Sequence, residues 1–371
     1  MNVPKIRYDN FTKEWEKVKL SSQASFLQGL KYTPNDVSND GTIVLRSSNI
    51  QNSMVDYNDI VRVNIIIPEK LKIKENDILM CVRNGSKSLV GKTAWLSKNE
   101  EKCTWGAFMN IIRPKERNKF VYYYLNSKYF YNHVWKDLGT ATVNQITKQT
   151  LESCYLNIPS IEEQEKISNT LSLLDQKIKL QSKKIEDLKL FKLSKYSSVF
   201  SKSNNKIKLS DICIIEKGKQ INSDLLIEKG NYYMLNGGIL PSGYLNEYNT
   251  NENTITISEG GNSCGYVNFN KTKFWCGGHC YKIISSSVNS SYLYHLLKHN
   301  EKIIMDLRVG SGLPNIQKKD LEALKLSIHK NDEQLKIGIL FDTFDKKINL
   351  ETNKLNKFKE LKKALMQVMF V

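Results

Sequence analysis

Four groups of residues have types and spacings that could do chemistry. The run GSKSLVGKT, Gly85 to Thr93, is reminiscent of a phosphate-binding loop, in which backbone amides and a lysine cradle a polyphosphate. That pattern needs four residues between its first glycine and Gly-Lys-Thr, whereas five follow Gly85 here and Ser86 stands where the glycine belongs. Gly91-Lys92-Thr93 also leads into a β-like run, so nucleotide binding is not expected. Cys276, His279 and Cys280, in WCGGHC, together with Cys264 have the donor types for zinc, but no second ligand pair follows at finger-like spacing. Zinc ligation and small buried thiols both remain open there, the thiols being the simpler reading. His133, His295, His299 and His329 form no acid-base signature. No two prolines are adjacent, which excludes the Asn/Asp-Pro-Pro-aromatic motif of adenine amino-methyltransferases. No self-contained enzyme is expected.

The fourth group is a set of loops rich in Gly, Asn, Ser and Lys: RNGSKS (Arg83–Ser88), NGG (Asn236–Gly238), EGGNSCG (Glu259–Gly265) and VGSGLPN (Val309–Asn315). Such loops can approach a nucleic acid backbone closely and offer amide and guanidinium groups to base edges. Plain turns share the composition. Residue chemistry and loop placement single out Arg46, Arg83, Asn84 and Lys87 in the first half of the chain, and Asn236, Asn262, Lys273 and Arg308 in the second, for base or backbone contact.

These loops need a scaffold. The runs TIVLRSSNI, VRVNIII, DILMCVR, VGKTAWL and FMNIIRP read as short strands before an aromatic helix, FVYYYLNSKYFYNHVWKDL. YYMLNGGIL, NTITISEGG, CGYVNF and CYKIIS repeat the plan before SSYLYHLLKHNEKIIMDL. Each half thus predicts a small α+β module.

The modules sit in a repeated frame. A constant offset of 170 residues, setting Leu321 on Leu151, aligns Ile146–Phe200 with Ile316–Phe370 without a gap. Glu163/Glu333, Gln164/Gln334, Asp175/Asp345, Lys177/Lys347, Leu180/Leu350, Lys184/Lys354 and Lys192/Lys362 are identical pairs under it. Near the N-terminus WEKVKLSS matches NKIKLSD at a different offset, 189, so the intervening modules differ in length and share little sequence. Within the frame Ile167, Leu171, Leu174, Ile178, Ile185 and Leu188 recur as Ile337, Phe341, Phe344, Ile348, Leu355 and Phe358. Spacings of four and three, with Gln181 or Glu351 at the skipped position, make a heptad seam. Ser160 and Glu163 form a capping box after Pro159, and Asn331 with Gln334 is its looser counterpart. Each helix of about 40 residues would reach roughly 60 Å. Helices so long suit antiparallel pairing with each other, the modules at opposite ends, and Ser201–Asn205 as the turn into the second module.

The chain of 371 residues, 40% hydrophobic, is long enough for two cores or more, and its formal charge of +17 favours a polyanionic partner. A Lys-, Asn- and Ile-rich composition from an AT-rich genome would give the same charge. No apolar run reaches the length of a membrane span, and MNVPKIRYDNFTKEW lacks the charged-then-apolar pattern of a signal peptide, so neither is expected. Seven cysteines without framework spacing fit a reducing, cytoplasmic setting.

The opening VPKIRYDNFTKEWEKVKL, the passage QITKQTLESCYLNIPSIEEQEKI, and their counterparts IKLSDI and NIQKKDLEALKLSIHKNDEQLKI resemble the specificity subunit of type I restriction-modification systems. The likeness covers essentially the whole chain. Its Ile-Pro-x-x-Glu-x-Gln pattern spans Ile158–Gln164, and His329 replaces the proline in the second copy, which would blunt that helix start. The resemblance implies target recognition domains at 1–158 and 204–328, each reading half of a split duplex DNA site, and conserved spacer helices at 159–203 and 329–371. It also implies a non-catalytic chain that binds two methyltransferase subunits, which use S-adenosylmethionine to methylate adenine N6. Restriction and translocase subunits working with ATP and Mg would complete the assembly, with no cofactor on this chain. Lys177, Lys184, Lys347 and Lys354, on the polar faces of the frame helices, are candidates for the partner-facing surface, with a plainly solvated face as the alternative. The competing readings are a coiled-coil scaffold or general DNA-binding protein without restriction partners, and a stand-alone nuclease or methyltransferase.

Overall fold

The computed structural model describes residues 3–138, 144–203, 205–310 and 312–371. The chain divides into two compact units, Met1–Gln181 with Lys354–Val371, and Ser182–Asn353. Each takes one module and adjoining lengths of both long helices, Ile161–Phe200 and Asn331–Val368.

In the first unit Ala24–Gln28, Met109–Pro114, Ile78–Cys81 and Thr93–Trp95 form an antiparallel sheet in that order. Ile78–Cys81 is apolar throughout because both faces are covered, and all four residues are buried. A second sheet orders Cys103–Trp105, Thr42–Leu45, Val61–Val63 and Val37–Ser38, its first two strands parallel. Buried Trp105 donates its indole N–H to Leu27 O at 3.1 Å and ties the sheets together. The second unit repeats the plan. Cys213–Lys217, Cys280–Ser286, Thr254–Ser258 and Val267–Asn270 form the antiparallel sheet in the same order. Gly243–Leu245, Tyr232–Leu235 and Trp275–Cys276 form the smaller sheet, again with one parallel pair.

Each aromatic segment is two helices where the sequence predicts one: Phe120–Leu125 with Lys128–Leu138, and Ser290–His299 with Glu301–Asp306. An asparagine breaks both. Asn126 Nδ2 donates to Tyr122 O and Asn300 Nδ2 to Leu296 O, each at 2.8 Å, local bonds that compete with helix continuation.

The frame joins the two sequence offsets in one element. Glu16–Lys19 pairs antiparallel with Tyr155–Ile158, and Lys206–Lys208 with Lys325–Ser327. Lys17 faces Asn157 and Lys206 faces Ser327, the same register at offset 189 on one strand and 170 on the other. Leu20 N–H donates to Cys154 O and Leu209 N–H to Leu324 O, both at 2.8 Å.

Both long helices start at equivalent positions, so His329 serves as well as Pro159. Buried His329 donates its backbone N–H to Tyr292 Oη at 2.9 Å, and its ring lies 3.0 Å from the same hydroxyl. Gln164 Nε2 donates to Pro159 O at 3.1 Å and Gln334 Nε2 to His329 O at 3.0 Å, which is the work of the repeated glutamine. The capping box is half formed. Glu163 N–H reaches Ser160 Oγ at 3.4 Å, but the Glu163 carboxylate is taken by Arg7 at 2.7 Å.

Within each unit the two long helices run antiparallel and share a repeated ion pair. Lys362 Nζ lies 2.6 Å from Asp175 in the first unit, and Lys192 Nζ lies 2.5 Å from Asp345 in the second. These pairs are each other's counterparts at the 170 offset. The predicted seam residues divide. Ile167 and Leu171 belong to the first module's core, with Met366, Met369 and Phe370, while Phe341, flanked by Ile337 and Phe344, belongs to the second's. Leu174 and Ile185 are buried, and Ile178, Leu188, Ile348, Leu355 and Phe358 are half-buried. Phe341 meets Tyr196 and Phe200, residues of the first long helix that are not among the predicted seam positions.

One buried polar chain in the second unit makes stability depend on pH. The Tyr196 hydroxyl donates to His295 Nδ1 at 2.8 Å, and Nε2–H donates to Asp342 at 3.1 Å. Burial lowers the His295 pKa from its ordinary 6.5, with Lys192 adding to it and Asp342 and Asp345 opposing. Burial also lowers His299, which stacks on Phe200. Both rings are therefore neutral when folded and take up a proton more readily when unfolded. Their contribution is complete above about pH 6.5 and is lost as pH falls below it. Thermal unfolding of the chain should show a falling Tm between about pH 7 and pH 5; a flat profile for the second unit would contradict this arrangement.

Candidate nucleic-acid interface

The candidate loops leave their sheets at matching points in the two modules. Leu45 pairs in parallel with Trp105, and Leu235 with Cys276, so Arg46 and Asn236 emerge at one equivalent place. Val82 N–H donates to Phe108 O at 3.0 Å and Glu259 N–H to His279 O at 2.9 Å. Ile146 N–H donates to Val82 O, and Ile316 N–H to Glu259 O, each at 2.8 Å. Arg83-Asn84-Gly85 and Gly260-Gly261-Asn262 are therefore the same loop start. Arg83 bridges to Gln145 and Gly260 to Asn315, and Gln145 and Asn315 are counterparts at the 170 offset.

Glycine is required beneath these loops. A Cβ on Gly29 would meet Gly106 O at 2.1 Å, and one on Gly218 would meet Gly277 O at 2.2 Å. Beside each loop set, a short 3-10 turn, Pro34–Asp36 or Ser223–Leu225, walls a groove. The first groove is lined by Tyr32, Thr33, Arg46 and Phe108, the second by Ile221, Asn222 and Asn236.

The first module thus brings Arg46, Arg83 and Asn84 together. Arg46 pairs with Asp59 at 2.8 Å. Asn84 donates to Ser47 Oγ at 3.1 Å and accepts from Ser86 N–H at 2.9 Å, so its amide organises the loop. Arg83 lies over the Phe108 ring, 5.1 Å from its centroid, and Lys87 over Trp135 at 4.6 Å. In the second module Asn236 Oδ1 accepts the His279 backbone N–H at 3.0 Å, which leaves its Nδ2 as a donor. Asn262 is exposed in the turn that follows Gly261. Lys273 instead reaches Tyr248 Oη at 3.1 Å, on the turn before Trp275–Cys276. Arg308 follows the helix Glu301–Asp306 and precedes the Val309–Asn315 bridge; Ser311 of that loop lies outside the described residues.

Sequence reasoning did not select Phe108 and weighed His279 only as a zinc donor, although GAF and GGH stand at equivalent turns. It also passed over Glu259, whose carboxylate takes Lys217 at 2.6 Å. The chemistry of the two surfaces differs accordingly, with guanidinium groups in the first module and amides, glycines and a carboxylate in the second.

The other chemical candidates dissolve into the fold. Cys264 packs in one core cluster and Cys276 with Cys280 in another, while His279 is exposed; among the described residues no three His, Cys, Asp or Glu side chains group to hold a metal ion. All seven cysteines are buried free thiols, and burial pushes Cys81 up to about 11 and Cys213 up to about 12. Thr93–Trp95 is a strand, so the Gly-Lys-Thr segment opens no helix. No helix among the described residues is long and apolar enough to cross a membrane.

One scaffold built twice, with a common frame and chemically unlike loops, defines a protein of tandem α+β modules. The family profile described as type I restriction modification DNA specificity domain matches residues 12–190 and again 202–360, and the chain belongs to that family. The StySPI specificity subunit of Salmonella potsdam is 27% identical over 181 residues, 47% of this chain and 39% of that one. The EcoKI specificity subunit of Escherichia coli K12 is 29% identical over 167 residues, 43% of this chain and 36% of that one. The aligned stretches thus span less than half of either relative. The type I restriction-modification S subunit from M. genitalium shares the fold, with a TM-score of 0.67 at 19% identity, over 100% of this chain and 99% of that one.

Proposed function

We propose that this chain is the DNA-specificity subunit of a type I restriction-modification assembly and reads an asymmetric, bipartite duplex site. One observation carries the reading: the frame repeats in identical register, while the loops it presents differ in chemistry between modules. A scaffold repeated beneath differing loops is what two readers of different half-sites need. The paired long helices act as an antiparallel coiled-coil spacer that fixes the distance between half-sites. Lysines and arginines supply a salt-dependent hold on phosphates, and few side chains discriminate bases.

The chain itself performs no chemistry in this reading. Two methyltransferase subunits bring S-adenosylmethionine, and restriction and translocase subunits bring ATP and Mg, in the cytoplasm.

Exchanging a module tests the proposal. The matching hydrogen bonds at Leu20/Cys154 and Leu209/Leu324 mark graft points with common geometry. Replacing 209–324 with the corresponding segment of another family member should change one half of the methylated sequence and leave the other half and the spacing intact. Methylation that keeps the original sequence after exchange would refute the reading.

A further inference from the structure

The two modules present a planar side chain from the same turn. Gly106-Ala107-Phe108 closes on itself through Met109 N–H to Gly106 O at 2.9 Å, and Gly277-Gly278-His279 through Cys280 N–H to Gly277 O at 3.1 Å. Gly106 N–H donates to Leu45 O at 3.0 Å and Gly277 N–H to Leu235 O at 2.8 Å, so both turns are pinned beside Arg46 and Asn236. The carbonyl oxygens of Phe108 and His279 anchor the loop starts at Val82 and Glu259. Each turn tip is thus fixed in position by backbone bonds. Yet the Phe108 residue is 58% exposed and the His279 side chain 62% exposed.

A fixed and exposed phenyl ring costs solvation unless something covers it, and the base edges of a duplex offer such a cover. Resting on the proposed DNA-reading function, we infer that Phe108 and His279 are the paired specificity-determining residues of the two modules. Phe108 makes apolar contact with a thymine methyl group, and holds the Arg83 guanidinium against its face, beside the same base step. His279 does a different task from the same place. Its Nδ1 faces the Glu259 carboxylate at 3.7 Å, where Oε2 is buried without a hydrogen-bond partner. In the neutral ring a proton on Nδ1, towards that carboxylate, leaves Nε2 as an acceptor. An acceptor there suits the exocyclic amino group of adenine or cytosine in the major groove.

The test uses the full chain assembled with its methyltransferase subunits and maps methylated sites in a randomised duplex library. Phe108→Ala should relax discrimination for thymine at one base pair of one half-site, roughly tenfold, and leave the other half-site unchanged. His279→Ala should do the same at one adenine or cytosine of the other half-site. Phe108→His should replace the thymine preference with one for an amino-bearing base. Because both side chains are largely exposed, the Tm should stay at the wild-type value. Unchanged discrimination in both variants would overturn this inference alone. A loss spread evenly over both half-sites, with a lowered Tm, would also overturn it by assigning the residues to the fold. A wild-type assembly that selects no bipartite sequence would instead remove the DNA-reading function on which the inference stands.

Discussion

Phe341→Ala is expected to destabilise the second unit by about 3–5 kcal/mol, enough to leave its module poorly folded. Phe341 is fully buried, and its ring meets Tyr196 at 4.3 Å, His295 at 5.5 Å, Phe200 at 5.7 Å and Phe344 at 6.2 Å between centroids. Truncation removes the transfer energy of the ring and leaves a cavity that rigid aromatic neighbours cannot close. Its counterpart in the first unit is Leu171, equally buried. There Leu125 stands where His295 stands in the second unit, and Met366 where Tyr196 stands, so a branched aliphatic side chain suffices. Phe341→Leu should therefore cost less, roughly 1–2 kcal/mol, since much of the apolar volume is kept. Denaturant unfolding of both variants checks this. An alanine variant with the wild-type midpoint would show that the aromatic cluster does not hold the unit together.

Arg7→Ala is expected to destabilise the first unit by about 3 kcal/mol, while Glu333→Ala in the second changes stability by less than about 0.5 kcal/mol. Arg7 grips Glu163 through Nε at 2.8 Å and Nη2 at 2.7 Å, and the Trp15 indole N–H adds a longer bond at 3.4 Å. The Glu163 side chain is only 1% exposed, so without the guanidinium a buried carboxylate loses its charge partner. Glu333, the identical residue 170 positions on, is exposed to solvent. No copy of the Arg7 segment precedes the second frame strand; the helix ending at Phe200 occupies that stretch of chain instead. Removing Arg7 should also loosen the bond from Ile6 N–H to Val368 O, 3.2 Å long, which joins the N-terminal segment to the second long helix within the first unit. Equal effects of the two substitutions on unfolding free energy would show that the repeated glutamate is not buried differently in its two settings.

The loop candidates show where pattern reading stops. Arg46, Arg83 and Asn84 were legible because cationic and amide side chains in Gly-rich loops mark surfaces that approach other molecules. Their assembly was not, since Arg83 stands on Phe108 and Asn84 on Ser47 through contacts between segments far apart in sequence. Lys273 reaches the Tyr248 hydroxyl, and the Arg308 backbone N–H donates to Met305 O just past Glu301–Asp306. The strands Ala24–Gln28 and Gly243–Leu245 were not selected for the opposite reason. Sheet neighbours stabilise them, and their own side chains carry no sustained alternation.

By itself the sequence determined the repeat, the two long helices, the central strands of each module and the family resemblance. These are encoded in periodic apolar positions and in constant offsets, which need no knowledge of distant contacts. Only the tertiary structure decided that Glu163 is buried and Glu333 exposed, that Phe341 sits in an aromatic cluster, and that Phe108 and His279 occupy one equivalent turn. Burial and loop placement depend on which remote segments fill the space around a residue, and two identical residues with different neighbours are therefore different chemical groups.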